Sequence, residues 1–432
     1  MRRLFVPLCL LALIGCSPVH AGDDDGAADA SIRPDSMMCM NDLDCTGAAS
    51  HCLDGLCVQC LGNDQCAAGQ LCDTQTHECR GCAQHSECAS NVCDPVLATC
   101  AVTDEVVYVD SANGSFAGNC GTHDLPCSSL DTGLGKVNAD RHYLSLFGTF
   151  NFPKISLAQR ITIVGYGSAT LDTGFDPQMA GALIDVKAGA DVVLDGLKII
   201  NNQGGEGITC ANAKLWIGHS VISKHMGNGI SASKCSLDIE DTEISGNSQM
   251  ALYSDQLTMH SSLIDGNVQG GINACSDGLD VRNNVFVNNT TGFNRYQGAM
   301  EFFCGTGLMP GLVAYNTLVN NSINGLERGL IGCSSQPNLT IDSNIIFGNH
   351  VDSGPTVTNC VGLGKNVSDQ NLNTQTIVTT DPKFVDAANF DFHLQPGSPA
   401  RNLGTPGHAL PYDFDGKARS DGQPDMGAFE VP

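Results

Sequence analysis

Short apolar stretches recur along the second half of the chain and align with one another every 20 to 32 residues. The aligned units begin at Val192, Leu215, Leu237, Leu257, Leu279, Gly311 and Leu339. Two columns are apolar in every unit, the third residue (Leu194, Ile217, Ile239, Met259, Val281, Val313, Ile341) and the eighth (Ile199, Ile222, Ile244, Ile264, Phe286, Leu318, Ile346). One such unit cannot bury its apolar side chains alone, so the repeat predicts a solenoid of stacked coils.

A column of asparagines follows the apolar ones. The eleventh residues of the seven units are Asn202, His225, Asn247, Asn267, Asn289, Asn321 and Asn349. Asparagine tolerates the left-handed turn conformation, and its side chain can hydrogen-bond along a stack. A leucine-rich repeat would need a stricter leucine pattern and a helix-forming half. We therefore predict an all-β fold, a right-handed single-stranded parallel β-helix.

A different repeat precedes these units and is built on cysteine. Its twelve cysteines fall in three units of about 21 residues: Cys39, Cys45, Cys52, Cys57; Cys60, Cys66, Cys72, Cys79; and Cys82, Cys88, Cys93, Cys100. Segments this short need covalent links to hold a fold, so we predict a small disulfide-rich region over 39–100. The spacing of Cys57-x2-Cys60 and Cys79-x2-Cys82 also fits a zinc ribbon, and the disulfide connectivity is not readable.

The N-terminus has the pattern of an export signal. A basic Met1-Arg2-Arg3 precedes the apolar run 4–14, which is too short to span a membrane permanently. The run ends in Leu13-Ile14-Gly15-Cys16, which resembles the bacterial lipobox. That resemblance implies cleavage after residue 15 and lipidation of Cys16, with 16–38 as a lipidated, flexible tether. The alternative is an ordinary secretory signal cut after Ala21.

The two ends of the β-helix region resemble known segments. Val107-Tyr108-Val109-Asp110 with Cys120-Gly121-Thr122-x3-Pro126-Cys127 resembles the opening of pectin-lyase-like β-helices, where a strand and a short helix cap the first coil. Asp391-Phe392-His393-Leu394, Asp413-x-Asp415-Gly416-x2-Arg419 and Asp425-Met426-Gly427-Ala428-Phe429-Glu430 resemble the closing segment of choice-of-anchor Q proteins. The resemblance implies a β-helix over 106–390 and a cap over 391–432, with Asp413, Asp415, Arg419 and Asp425 pairing with each other.

Eight cysteines remain in the β-helix region as disulfide candidates: Cys120, Cys127, Cys210, Cys235, Cys275, Cys304, Cys333 and Cys360. Neighbouring coils of a β-helix lie about 4.8 Å apart, within the Cα separation that a disulfide accepts. Disulfides between neighbouring coils are therefore expected. The first pairing that we predict is Cys120 with Cys127.

Charge and residue types restrict the function. The formal net charge of -25 makes nucleic acid a poor partner. A polysaccharide lyase needs an Arg or Lys base beside carboxylates that bind Ca²⁺, gathered on successive coils. The basic residues are scattered, with one local cluster at His219, Lys224 and His225, and the acids from Asp238 to Asp280 show no distinct pair. We predict no catalytic residue, no metal site and no cofactor; Ca²⁺ is expected only if the protein is such an enzyme.

Ligand contact is predicted at three residues, Trp216, Lys224 and His225. Trp216 precedes the core residue Ile217, so strand alternation turns it outward. Inserts at 290–310 and 321–338, which contain Tyr296, Glu301, Phe302 and Phe303, are expected as binding loops or as cover for the helix. The leading hypothesis is a non-catalytic lipoprotein of the bacterial cell envelope, anchored in a membrane by its lipid and contacting glycans or surface proteins.

Two other function classes remain open. A polysaccharide lyase or glycoside hydrolase should gather an Arg or Lys and at least two carboxylates on three successive coils of one face. A purely structural envelope protein should show neither this cluster nor exposed aromatic residues. Ser17 after the lipidated cysteine is compatible with the outer membrane or cell surface.

Overall fold

The computed structural model describes residues 39–431, with gaps at 152, 168, 175–179, 276, 292–297, 304–308, 325–328, 335–337, 353 and 421. The predicted signal peptide (1–15), Cys16 and the tether (16–38) therefore lie outside the described residues. The chain divides into two compact units, with the boundary between Ala101 and Val102. Within the described ranges, no helix is long and apolar enough to cross a membrane.

The cysteine-rich unit consists of three similar repeats, each a short 3-10 helix followed by a two-stranded antiparallel hairpin. The 3-10 helices are Asp42–Asp44, Asn63–Gln65 and His85–Glu87, and the hairpins are His51–Leu53 with Leu56–Val58, Leu71–Cys72 with Cys79–Arg80, and Cys93–Asp94 with Thr99–Cys100. In each repeat the first cysteine bonds to the third and the second to the fourth: Cys39–Cys52, Cys45–Cys57, Cys60–Cys72, Cys66–Cys79, Cys82–Cys93 and Cys88–Cys100. The predicted disulfide-rich region is confirmed, and the four cysteines of the zinc alternative are all in disulfides.

A recurring polar contact supports each repeat beside its disulfides. The first residue of each 3-10 helix accepts a hydrogen bond from the backbone N–H of the third cysteine. Asp42 accepts from Cys52 at 2.7 Å, Asn63 from Cys72 at 2.8 Å, and the His85 imidazole from its cysteine at 3.1 Å. Three different side chains perform the same task, which explains why this position carried no visible sequence signal.

The second unit is the predicted right-handed parallel β-helix, and its fold class is confirmed. Strands of successive coils lie one above another and form three stacks of parallel strands. Along the chain, each coil contributes a strand to stack 1, then to stack 2, then to stack 3. Stack 1 comprises Ile155–Leu157, Ile184–Val186, Ile208–Ala211, Ile272–Cys275, Met300–Phe303, Ile331–Cys333 and Val357–Thr358. Stack 2 comprises Val106–Asp110, Tyr143–Phe147, Ile161–Gly165, Asp191–Asp195, Lys214–Gly218, Asp280–Arg282, Gly311–Ala314, Leu339–Asp342 and Gly362–Leu363. Two long strands, Ile230–Glu240 and Leu252–His260, pass through both and join them into one sheet.

Stack 3 is a separate eleven-stranded sheet in the described part of the chain. Its strands are Thr149–Asn151, Thr170–Asp172, Lys198–Ile200, Val221–Ser223, Glu243–Ser245, Leu263–Asp265, Val285–Val287, Thr317–Val319, Ile345–Phe347, Val367–Ser368 and Ile377–Val378. A small three-stranded sheet of Thr290–Thr291, Ser322–Ile323 and His350–Val351 lies beside the later coils. The helix Leu130–Leu134 and the 3-10 helix Thr103–Glu105 flank the opening strand.

The register of the strands confirms the alignment made from sequence. In stack 2, Leu194 pairs with Ile217 and Ile217 with Ile239, and the third-residue column continues in register to Ile341. In stack 3, the eighth-residue column runs in register from Ile199 to Ile346. These side chains are buried and form one continuous core.

Disulfides tie coils together within this unit. The structure pairs Cys120 with Cys127, with Cα atoms 4.9 Å apart. Cys210 bonds to Cys235 and Cys333 to Cys360, each bridging neighbouring coils of stack 1. Cys275 is also disulfide-bonded, and Cys304 lies outside the described residues.

The asparagine column is a buried hydrogen-bond ladder. The backbone N–H of Asn247 donates to Oδ1 of Asn267 at 3.1 Å, and Asn267 donates in the same way to Asn289. A second ladder, which the sequence analysis missed, occupies the sixth residue of the last six units and continues one coil further. It runs through Ser220, Thr242, Ser262, Asn284, Asn316, Asn344 and Asn366. Each rung thus fixes the turn of one coil against the next.

The closing segment packs on the outer face of stack 3. It contains the hairpin Phe384–Asp386 with Asp391–Leu394 and the 3-10 helices Ala387–Asn389 and Pro406–His408. Its aromatic side chains Phe392 and Phe429 form a second core with Val319, Ile345 and other outward residues of that sheet. The segment therefore covers the later coils of stack 3.

The polar residues of this segment do not all pair as predicted. Arg419 contacts Glu430 and donates to the carbonyl of Asp425 at 2.9 Å. The Asp413 carboxylate accepts backbone N–H groups of Lys417 and Glu430, at 2.7 and 2.8 Å. The carboxylates of Asp413 and Asp425 thus accept backbone N–H groups of the segment, and that of Asp415 pairs with His393; none of the three side chains pairs with Arg419 in the described contacts.

The predicted inserts are partly strands of the β-helix. Met300–Phe303 pairs with Ile272–Cys275, and Ile331–Cys333 continues the same stack. Phe302 and Glu301 are buried, whereas Tyr296 lies outside the described residues. The sequence placed these strands in loops because the added residues lengthened the repeat and hid its register.

We predict that replacing one ladder asparagine costs more than replacing an exposed one. Asn289→Ala leaves the buried backbone N–H of Asn267 without its acceptor and should lower the free energy of unfolding by about 3 kcal/mol. The exposed Asn389, whose side-chain amide donates to Asp386 just before its 3-10 helix, provides the control. Its alanine variant should lose less than about 0.5 kcal/mol. Urea unfolding followed by circular dichroism measures both; equal losses would contradict the ladder's role.

Candidate functional site

Trp216 lies in the strand Lys214–Gly218 with its indole on the outer face of stack 2. Leu215 and Ile217 on either side are buried in the core, whereas Trp216 is partly exposed. The six-membered ring of the Trp216 indole lies over Gly218. A Cβ atom added at Gly218 would stand 2.1 Å from Cη2 and 2.6 Å from Cζ3 of that ring. The glycine therefore permits the indole to lie along the strand as a flat apolar surface.

Polar side chains surround this indole on the adjacent coils. Trp216 pairs with Asp238, and Gly218 lies between Asp195 and Glu240 in the register of the sheet. We define the Trp216 platform as Trp216, Gly218, His219, Asp238 and Glu240.

His219 follows Gly218 at the turn that ends the strand. Its Nδ1 lies 2.7 Å from the carboxylate of Asp195, and its Nε2 lies 3.6 Å from that of Asp241. The histidine thus bridges carboxylates from the coil before it and the coil after it. This arrangement fixes the edge of the Trp216 platform.

His225, predicted as a ligand contact, is instead a rung of the asparagine ladder with 0% of its surface exposed. Its Nδ1 accepts the backbone N–H of Asn202 at 3.1 Å, and its Nε2 donates to the carbonyl of Ile199 at 3.0 Å. These two atoms reproduce the acceptor and donor of an asparagine amide. Gly207 leaves room for the larger ring, since a Cβ there would stand 2.6 Å from Nε2. The prediction fails because a buried ring offers no surface to a ligand.

Lys224 is exposed but is not brought to the Trp216 platform. It follows the stack 3 strand Val221–Ser223 with a φ of 61°, at a turn on another sheet. The structure therefore separates the three ligand-contact candidates. Trp216 lies on stack 2, Lys224 at a turn after a stack 3 strand, and His225 in the core.

Stack 2 also gathers the residue types expected of an enzyme. Asp238 and Glu240, then His260, then Asp280 and Arg282 lie on three successive coils. Sequence reasoning missed this grouping because it treated the acids and bases separately.

The arginine of this group is fully engaged. Arg282 Nε donates to Asp280 at 2.6 Å, and Nη1 donates to the carbonyl of His408 in the closing segment at 3.3 Å. Burial alone would raise the pKa of Asp280, but hydrogen bonds from His260 and Arg282 outweigh it and lower that pKa to about 2. The group is a tight ion-pair cluster partly covered by the closing segment.

Another acidic group lies on the outer face of stack 3. Burial raises the pKa of Asp265, opposed by a hydrogen bond from Asn288 at 3.2 Å. Repulsion from Glu243 on the preceding coil also raises the pKa of Asp265. A raised carboxyl pKa is useful for general acid chemistry, but here burial beside the second core accounts for it.

Two aromatic pairs escaped the sequence analysis. Tyr253 and Phe303 stack with ring centroids 5.7 Å apart on the outer face of stack 1. Phe147 and Tyr166, 42% and 39% exposed, lie 6.4 Å apart where two stack 2 strands end. Each pair joins residues of different coils, so only the register shows them.

The fold places this chain among the right-handed parallel β-helix proteins. No protein-family profile and no curated protein matches the sequence. Among solved structures, pectate lyase Pel9A is similar, with a TM-score of 0.51 and 16% identity over 76% of this chain and 96% of that one. The match to the Dettilon tailspike protein spans 63% of this chain and 70% of the tailspike chain, with 10% identity and a TM-score of 0.21. At 16% identity, the similarity to pectate lyase Pel9A shows the fold alone.

We predict that His225 makes the fold sensitive to acid. Burial lowers the pKa of His225 to about 4, below the ordinary histidine value of 6.5, although the hydrogen bond to Ile199 acts in the opposite direction. Between about pH 6.5 and 4, the unfolded chain therefore binds a proton that the folded chain does not. The free energy of unfolding should fall by about 3 kcal/mol as the pH drops through this window.

The variant His225→Asn restores the side chain found at the other rungs and should remove this part of the pH dependence. Urea midpoints measured from pH 7.5 to 4 for both proteins provide the comparison. Identical pH profiles would show that His225 is not the group responsible.

Proposed function

We propose that this protein is a non-catalytic, glycan-binding lipoprotein of the bacterial cell envelope, and that the Trp216 platform is its binding surface. The observation that carries the proposal is the indole lying over Gly218, outward and partly exposed, with carboxylates and an imidazole beside it. Sugar rings present apolar C–H faces and polar hydroxyl edges. An aromatic ring bordered by hydrogen-bonding groups matches both.

The rigid β-helix supports this role. Trp216 stands between the buried Leu215 and Ile217, and its strand pairs with a strand on each side. The indole position is therefore set by the sheet rather than by a loop, so little conformational freedom is lost when a ligand binds.

The second candidate function is polysaccharide cleavage. The cluster of Asp280, Arg282 and His260 favours it, because a base and carboxylates meet on successive coils. Arg282 is held by a bidentate carboxylate contact and a carbonyl, so it lacks the freedom to take a proton from a substrate. The binding hypothesis therefore ranks first.

The envelope location rests on the sequence and on the cysteines. The pattern Leu13-Ile14-Gly15-Cys16 supports lipidation at Cys16. Disulfides form and persist in oxidising compartments, and the described chain contains nine pairs with both partners placed. Both features fit an exported protein held at a membrane by its lipid.

We predict that Trp216→Ala weakens glycan binding. The unlipidated chain from Ser17 onward is run in native gels containing neutral or acidic polysaccharides, with and without Ca²⁺, and its retardation is measured. Loss of the aromatic contact should weaken binding roughly five- to 150-fold, taking the roughly 1 to 3 kcal/mol of ring stacking on an aromatic side chain as the scale. Trp216→Phe should retain part of the binding.

Two further variants sharpen this test. Gly218→Ala keeps Trp216 but places a methyl group where the indole lies, so it should weaken binding by displacing the ring. Phe116→Ala removes a 91% exposed ring outside the stacks and should bind as the parent does. Unsaturated products or new reducing ends in the same incubations would instead establish the enzyme and overturn the proposal.

We predict that Cys16→Ser prevents membrane attachment. A clickable fatty acid fed to expressing bacteria should label the parent chain and not the variant, and the variant should leave the membrane fraction. Two or three acyl chains anchor firmly, whereas an unlipidated chain has no such attachment. Labelling of the variant, or no labelling of the parent, would refute lipidation at this residue.

A further inference from the structure

We propose that the Trp216 platform selects uncharged glycans and excludes polyuronates. This inference rests on the proposed function and specifies its ligand class. The name of the similar pectate lyase would suggest an acidic polysaccharide as the ligand. The charges that the strand register places around the indole favour an uncharged one instead.

Acidic residues lie beside the Trp216 and Gly218 positions on the neighbouring coils. The row through Trp216 reads Val193, Trp216, Asp238, Thr258, and the row through Gly218 reads Asp195, Gly218, Glu240, His260. Asp238 is therefore the direct neighbour of the indole on one side. Glu240 is the direct neighbour of the glycine beneath it.

The basic groups of this face already lie beside carboxylates. Lys214 pairs in register with Asp191, and His219 lies between Asp195 and Asp241. Further along the stack, His260 and Arg282 both contact Asp280. The cations of this face therefore each lie beside other carboxylates, and Asp238 and Glu240 place two further carboxylates next to the indole.

A uronate bound on this surface would bring its own carboxylate close to these two. Like charges at about 6 Å in water repel enough that two of them together weaken binding about tenfold. Added salt screens this repulsion, because the Debye length falls from about 10 Å at 0.1 M to about 3 Å at 1 M. A neutral sugar carries no such penalty, and its hydroxyl groups can donate to the carboxylates.

The experiment compares matched polymers that differ in charge. Hydroxyethyl cellulose with carboxymethyl cellulose, and galactan with polygalacturonate, are cast into native gels at 0.05 M and 0.5 M NaCl. The chain from Ser17 onward and its Trp216→Ala variant are run in each. We expect retardation that depends on Trp216 in at least one neutral polymer, and up to about tenfold weaker retardation in its carboxylated partner at low salt.

The outcomes separate the two proposals. Equal or stronger Trp216-dependent binding to a carboxylated polymer would overturn the charge selection while leaving glycan binding intact. Absence of Trp216-dependent binding to any of the four polymers, with the fold intact by circular dichroism, would refute the proposed function itself. Binding to a carboxylated polymer that strengthens at 0.5 M NaCl supports the repulsion.

A pair of charge variants tests the residues directly. Asp238→Asn with Glu240→Gln should narrow the difference between neutral and carboxylated polymers to about threefold or less. The control Asp124→Asn with Asp352→Asn changes the net charge by the same amount at exposed sites on other parts of the chain. That control should keep the full difference. An equal effect of both pairs would show that overall charge, and not the platform, sets the selection.

Discussion

The hydrogen bond from a buried turn N–H to the side chain one coil further on holds this structure together. At the ladder of Asn267 and Asn289, backbone and side-chain donors share one acceptor oxygen. A coil shifted by one residue would leave these buried groups without partners and would turn its apolar side chains outward. Every row of outward residues, including the one that holds Trp216, depends on this register.

The ladder also explains why one histidine could stand among asparagines. His225 offers an acceptor and a donor at nearly the same places as an amide, and Gly207 provides the space its ring needs. The substitution that looked like a functional signal in the sequence is a structural equivalent. A break in a repeat marks a ligand site only if the new side chain reaches the surface.

Periodicity predicted the fold class well because the core residues and turn asparagines recur at constant offsets. Leu194, Ile217 and Ile239 could be aligned without any structure. The second ladder was less visible, since Ser220 and Thr242 perform the same task as Asn284 with different side chains. Contacts between coils, such as the pairing of Asp280 with His260, could not be predicted, because they depend on register across turns of unequal length.

The disulfide pattern of the first unit has a consequence for how such proteins change. Every bond of that unit, from Cys39–Cys52 to Cys88–Cys100, closes within its own repeat. Duplicating or deleting one repeat of about 21 residues would therefore leave no cysteine without a partner. Evolution, or an engineer, can lengthen or shorten this segment in whole modules while oxidative folding proceeds as before.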